Sequence, residues 1–222
     1  MTARAPAPHP PPTEAERAAS RRMAIALRSA EFSACGEYRE RLDRWWSDRP
    51  RALVCGCNPS QAGMEKNDPT IHAVAALTAH LPVGGFTMAN WSPRISTDPD
   101  GFHRWRLALL HADEPAYAAI RDANLARLRA LSADSAVRIV AWGNLVPMGE
   151  RETTLVLRAL SLDGLHPLYA FGLTGAGVPK HPLARGKTRI APGTPLTLWR
   201  PATHALAERG VRPSEATGAA HG

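Results

Sequence analysis

Four short stretches carry side chains of the kinds that do chemistry. The first is Gly56-Cys57-Asn58-Pro59-Ser60, a rigid polar turn in which Gly56 permits close backbone approach and Pro59 fixes φ. The second is Asn90-Trp91-Ser92-Pro93-Arg94 and the third Trp142-Gly143-Asn144. The fourth runs Gly175-Ala176-Gly177-Val178-Pro179-Lys180-His181-Pro182-Leu183-Ala184-Arg185, with Lys187 just beyond. An amide such as Asn58 can hold a water through its oxygen. Asn90 can offer both a donor and an acceptor to one edge of a heterocycle. His181, neutral or charged, can donate to an oxygen that gains charge, with electrostatic help from Lys180 or Arg185. No cluster has metal-ligand spacing, so neither metal nor cofactor is expected.

These residues act together only if the fold gathers them, and each stretch follows an apolar run. Arg51 to Cys57 (RALVCGC) suits a buried strand, ended by Gly56 and Pro59. Gly84 to Asn90, Ala136 to Trp142 and Leu168 to Thr174 read as three more strands. Helices are expected over about 14 to 30 and 36 to 47, the latter turning Leu42, Trp45 and Trp46 inward. Another is expected over Pro69 to His80, with Asp68 at its cap and Pro69 at its first position. A long loop with Pro93, Pro99 and Gly101 follows Asn90. Tyr117, Ile120, Ala123, Leu128 and Leu131 keep helical spacing within Glu114 to Ala133, and a last helix is expected over about 147 to 160. Strands alternating with helices imply a parallel sheet covered on both faces. Ligands of such sheets bind beyond the carboxyl ends of the strands, where the four stretches stand.

The 222 residues, 44% hydrophobic, suffice for one sizeable core, expected over 14–209. Disordered tails are expected at 1–13, rich in Pro from Pro6 to Pro12, and at 210–222. Lys and Arg number 27 against 20 Asp and Glu, a net +7 that favours an anionic partner such as nucleic acid. No apolar run approaches the roughly 18 to 20 residues of a membrane span, and no apolar signal core opens the chain. A cytoplasmic location is expected. Cys35, Cys55 and Cys57 form neither an even disulfide framework nor a paired zinc set, so reduced thiols are expected.

The four stretches resemble the uracil-DNA glycosylase superfamily and, more closely, the bacterial DUF1643 family. Gly56-Cys57-Asn58-Pro59-Ser60 looks like the superfamily's first motif in its Asn-bearing form. Asn90 falls where those enzymes keep an Asn that reads the pyrimidine edge. Ile139-Val140-Ala141-Trp142-Gly143-Asn144 is similar to their third-strand segment, and His181-Pro182 to the start of their His-Pro-Ser motif. The DUF1643 likeness runs from about 33 to 200 and includes Asn67-Asp68-Pro69-Thr70 and Thr97-Asp98-Pro99. Two departures stand out. Leu183 replaces the Ser of His-Pro-Ser, and position 58 is Asn, which cannot take a proton from water, rather than the Asp of the fastest members.

The resemblance implies a three-layer α/β sandwich around a central four-stranded, mainly parallel sheet, and a DNA glycosylase. Cleaving a base from deoxyribose builds positive charge on the sugar and negative charge on the base, so a catalyst stabilises that anion and orients a water. His181 and Asn58 would fill these roles as catalytic residues. Gly56, Cys57, Ser60, Asn90, Trp91 and Asn144 would shape the base pocket, with Trp91 or Trp105 as a stacking wall. Arg94, Lys180, Arg185 and Lys187 would clamp the DNA backbone while the base is flipped out. Ser60 stands where uracil-specific enzymes keep a bulky Tyr, so a 5-substituted pyrimidine is expected: mismatched thymine, hydroxymethylcytosine or a glucosylated phage base. Repair and defence against phages with modified DNA are then alternative roles. Two other readings stay open: a non-catalytic binder of DNA or nucleotide, and an enzyme acting on free nucleotides. Blander roles also fit the residues singly, with Asn58 shaping a turn, Asp68 capping a helix, Trp142 in the core and the cations on a solvated face.

Overall fold

The computed structural model describes residues 13–144 and 149–203. The tails expected at 1–13, apart from Thr13, and at 210–222, and the first residues of the helix expected from 147, lie outside these. Thr13 and Glu16 form a reciprocal capping box that starts Glu14–Ile25 (α1). The helix expected to reach residue 30 stops there, because Ala26 is extended and Leu27–Phe32 is a strand (β1).

Arg39–Trp45 (β2) pairs antiparallel with β1, so the helix expected over 36 to 47 is corrected to a strand. Its period of two is hidden in the sequence because three of its buried positions are the charged Arg39, Asp43 and Arg44. Asp43 is buried on one face, where Thr87 Oγ1 donates to it at 2.6 Å and Arg41 and Arg51 pair with it. Leu42 lies in the apolar core on the other face.

Ala52–Gly56 (β3) is buried throughout, as its composition requires. Asp68 accepts from the Ile71 amide and caps Pro69–Thr78 (α2), and Gly85–Asn90 (β4) follows. The stretch read as a long loop holds a further helix, Pro99–Ala112 (α3). Its start signal matches that of α2: an Asp cap, Asp98, followed by Pro at the first position. Glu114–Ala133 (α4), Val137–Val140 (β5), Glu150–Ser161 (α5), Leu168–Ala170 (β6) and Thr197–Arg200 (β7) complete the order.

The chain is thus mixed α/β, with one seven-stranded sheet ordered β1-β2-β4-β3-β5-β6-β7 rather than the four strands expected. The strands read from the sequence are the central parallel ones, β4-β3-β5-β6. The additional strands, β1 and β2 at one edge and β7 at the other, pair antiparallel. Side chains alternate across β3. Ala52 and Val54 join a core with α1 and α2, and Leu53 and Cys55 join a second core with α3, α4 and α5. The helices after β3 and β5 therefore cover opposite faces, and a crevice opens between the carboxyl ends of those neighbouring strands. Among the described residues no helix is long and apolar enough to cross a membrane.

Candidate functional site

At that crevice lies a cavity of about 510 Å³. Gly56, Cys57, Asn58 and Ser60 reach it from the end of β3, Asn90 from β4, Ala141 from just beyond β5, and His181 and Pro182 from the chain beyond β6. Its volume falls within the roughly 300 to 1,000 Å³ of small-molecule sites.

Gly56 leaves room for the Asn90 amide. A Cβ there would stand 2.8 Å from Asn90 Nδ2, so a larger residue would displace the amide from its present position. The backbone beyond Asn90 is fixed from below, where Asn124 Nδ2 donates to the carbonyls of Asn90 and Trp91 at 3.1 and 3.0 Å. Asn124 is buried on α4, and the sequence carries no sign of its role, since a buried amide in a helix has no periodic signature.

Asn58 donates through Nδ2 to the carbonyl of Ser96 at 2.7 Å and, more weakly, to that of Pro59 at 3.3 Å. Tying down the NH₂ group leaves Oδ1 as the acceptor that Asn58 can offer to the cavity. Ser60 donates to Asp68, which also accepts from the Ile71 amide at 2.9 Å. Asp68 is therefore both a helix cap and part of the cavity wall.

His181 is held in one tautomer. The Leu183 amide donates to Nδ1 at 3.1 Å, so a neutral ring carries its proton on Nε2. Burial pushes its pKa below the ordinary imidazole value, against the opposing pull of the Asp68 charge. Gly143, at φ +75°, packs so closely on the His181 backbone that a Cβ would sit 3.1 Å from His181 Cβ. Leu183 thus serves the histidine through its backbone amide. His166, the other His-Pro-Leu histidine, precedes β6 and does not line the cavity.

A stability prediction follows from the lowered pKa of His181. The unfolded chain binds its proton more readily, so folding is favoured above about pH 6.5, the free imidazole value, and loses stability as pH falls through the lower folded pKa. Urea midpoints measured from pH 7.5 down to 5 should decline for the wild type and decline less for His181→Gln. Equal slopes would show that His181 is not buried as a neutral ring.

Cys57 lines the cavity as a thiol, because burial pushes its pKa up to about 12, which removes it as a nucleophile near neutrality. Arg39 also lines the cavity, and no sequence feature marked it. The β1–β2 register passes from Glu31↔Arg41 to Phe32↔Arg39, leaving Glu40 unpaired. This bulge turns Arg39 to the cavity face, the face of Leu42 and Arg44. Among the described residues no group of three or more His, Cys, Asp or Glu could hold a metal ion.

The other expected residues are placed elsewhere. Trp91 is 6% exposed and sits in the core beside Phe102 and Leu128, so it is not a stacking wall. Trp105 stacks on Phe102 and meets Tyr38, away from the cavity. Arg94 lies over the rings of Tyr38 and Trp105 and pairs with Glu37 at 2.7 Å, so its charge is engaged in packing. Asn144 is exposed past the Gly143 turn and is not a cavity wall. Lys180 is half-buried beside Gly172. Arg185 and Lys187 are exposed, and Arg185 lines an adjoining groove of about 770 Å³ that shares Pro69 and Pro182 with the cavity.

A family model described as a protein of unknown function, DUF1643, matches residues 39–183. The matched span begins at Arg39 and ends one residue beyond Pro182, so it contains every residue that lines the cavity. No curated protein and no solved structure matches the chain.

Proposed function

We propose that this chain, which belongs to the DUF1643 family, is a DNA glycosylase. It takes a flipped-out pyrimidine into the cavity and hydrolyses the bond between base and deoxyribose, leaving an abasic site. The observation that carries this reading is the convergence of Asn58, Asn90 and His181, from separate strand ends, on one cavity.

In this mechanism Asn58 Oδ1 accepts from a water and aims it at C1′ of the sugar. The bond from C1′ to the base nitrogen breaks and its electron pair leaves with the base. His181 Nε2–H donates to a base carbonyl as it gains charge, and a preorganised donor costs no reorganisation at that moment. The water oxygen stays on C1′, its proton is lost to solvent, and the base takes up a proton from solvent. Asn90 reads the pyrimidine edge. Arg185 and Lys187 stand exposed beyond Pro182 and suit phosphates flanking the flipped nucleotide. Ser60, small and bonded to Asp68, leaves room for a 5-substituent. Base repair and defence against phages with modified DNA both fit such a substrate.

A strand-nicking assay tests this. Labelled duplexes carrying uracil, mismatched thymine, hydroxymethylcytosine or its glucosylated form are incubated with the protein and treated with alkali. Nicking of a 5-substituted duplex is expected. Turnover of uracil alone would overturn the substituent preference, and intact DNA throughout would overturn the activity.

Asn58→Asp, which would imitate the faster members of the superfamily, is expected to slow the reaction. Its carboxylate would face the Ser96 carbonyl across the 2.7 Å that the amide NH₂ now bridges, where two acceptors repel. A faster Asp variant would mean that the Asn58–Ser96 bond does not set the orientation of the side chain.

A further inference from the structure

Arg39 is 3% exposed, lines the cavity and forms no ion pair among the described residues. Nη1 donates to the Ala62 carbonyl at 2.9 Å, Nη2 reaches Asn90 Oδ1 at 3.4 Å, and the buried Nε has no partner. Arg44, fully buried on the same strand, adds a second positive charge. Its own donors are taken by Asn67 Oδ1 and the carbonyls of Asp43 and Gly63. The carboxylate that acts on Arg39 is Asp68, and the oxygens of Asp68 are engaged by Ile71 N and Ser60. Burial accordingly pulls the Arg39 pKa down to about 10. A buried guanidinium with no carboxylate at ion-pair distance is costly to keep, and Nη1 and Nη2 each retain a second N–H beyond the bonds they make. It is well placed to meet an anion that enters the cavity, because a charge-assisted bond in a desolvated site is about twice as strong as a neutral one.

We propose that the cavity selects a planar heterocyclic oxyanion, whose charged edge is held by Arg39 together with the Asn90 amide. The proposal rests on the glycosylase reading only in taking the ring to be a pyrimidine. The negative charge can lie in the ring itself or on a carboxylate attached to it, and the guanidinium meets either through the same N–H groups.

Calorimetric titration of the full chain tests this with four probes. Barbiturate is a pyrimidine that is an anion at neutral pH, orotate carries its charge on a ring carboxylate, uracil is neutral, and inorganic phosphate has no ring. At least one ring anion should bind tenfold or more tighter than uracil. The stronger of the two shows where the charge resides. Arg39→Met, which keeps much of the side-chain volume, should bring ring anions and uracil to similar affinity. Arg39→Lys should keep part of the preference, and it replaces the Met variant if thermal melts show the latter unfolded. Equal binding of charged and neutral rings overturns the proposal, as does a preference that survives loss of the guanidinium. Phosphate binding tighter than either ring anion also overturns it. A protein that nicks no DNA yet prefers ring anions through Arg39 loses the glycosylase reading and keeps this one. One that nicks DNA without that preference does the reverse.

Discussion

His181→Ala is expected to lower the nicking rate by about 10²- to 10³-fold, the range seen when one preorganised donor to a developing anion is removed. The loss should fall on kcat, because the ground-state carbonyl gains little from a donor aimed at the charge that develops later. Two features prepare the ring for this role: the Leu183 amide on Nδ1 and the pKa lowered by burial. A structural histidine would give a different result. Its loss would depress the thermal midpoint and leave kcat per folded molecule unchanged. His181→Gln is the informative companion, since its amide can still donate into the cavity and should recover part of the rate. Single-turnover nicking by folded protein separates the two cases, and an unchanged kcat for His181→Ala would remove His181 from the mechanism.

The strand ends were legible in the sequence because their signals are local. An apolar run that stops at Gly-x-Asn-Pro, or at Asn90, needs no tertiary information to be read as a buried strand meeting a polar edge. The α2 cap was equally plain, since Asp68 before Pro69 satisfies the first turn and fixes its φ. The same signal at Asp98-Pro99 is weaker because Asp100 and Gly101 follow at once, and α3 carries its apolar contacts later, from Phe102 onward. β2 was hidden for a different reason. Arg39, Asp43 and Arg44 are buried there by partners on other strands and loops, among them Thr87, Ala62 and Asn67. Charge burial of this kind is decided by tertiary contacts that no window of sequence contains, and Arg39 at the cavity depends further on a one-residue bulge. The placement of Trp91 and Arg94 outside the cavity meets the same limit. A loop residue after a strand end can turn toward the ligand or under the sheet, and the contacts of Tyr38, Trp105 and Asn124 turn this one under.

Gly56→Ala should separate function from stability more sharply than any other single change. The backbone at position 56 is ordinary strand, so alanine is not strained there. The reduced freedom of the unfolded chain contributes about 0.4 to 1 kcal/mol in favour of folding. Opposing this is the contact of the new methyl with Asn90 Nδ2 at 2.8 Å, while Met88 Cε at 3.8 Å is an ordinary neighbour. Asn90 cannot retreat with its backbone, because Gly56 and Asn90 are partners in the β3–β4 ladder and Asn124 holds the carbonyl beyond. Its amide must therefore rotate, which breaks the contact with Arg39 and misdirects the group that reads the pyrimidine edge. A misplacement of about 1 Å in a positioning group can cost on the order of 10²-fold in rate, so kcat/KM should fall by about that factor while the urea midpoint moves little. A double-mutant cycle makes the argument specific. In an Asn90→Ala background the obstructing amide is gone, and Gly56→Ala should then have almost no further effect on activity. Additive losses in the cycle would mean that the methyl acts on the cavity by some route other than Asn90.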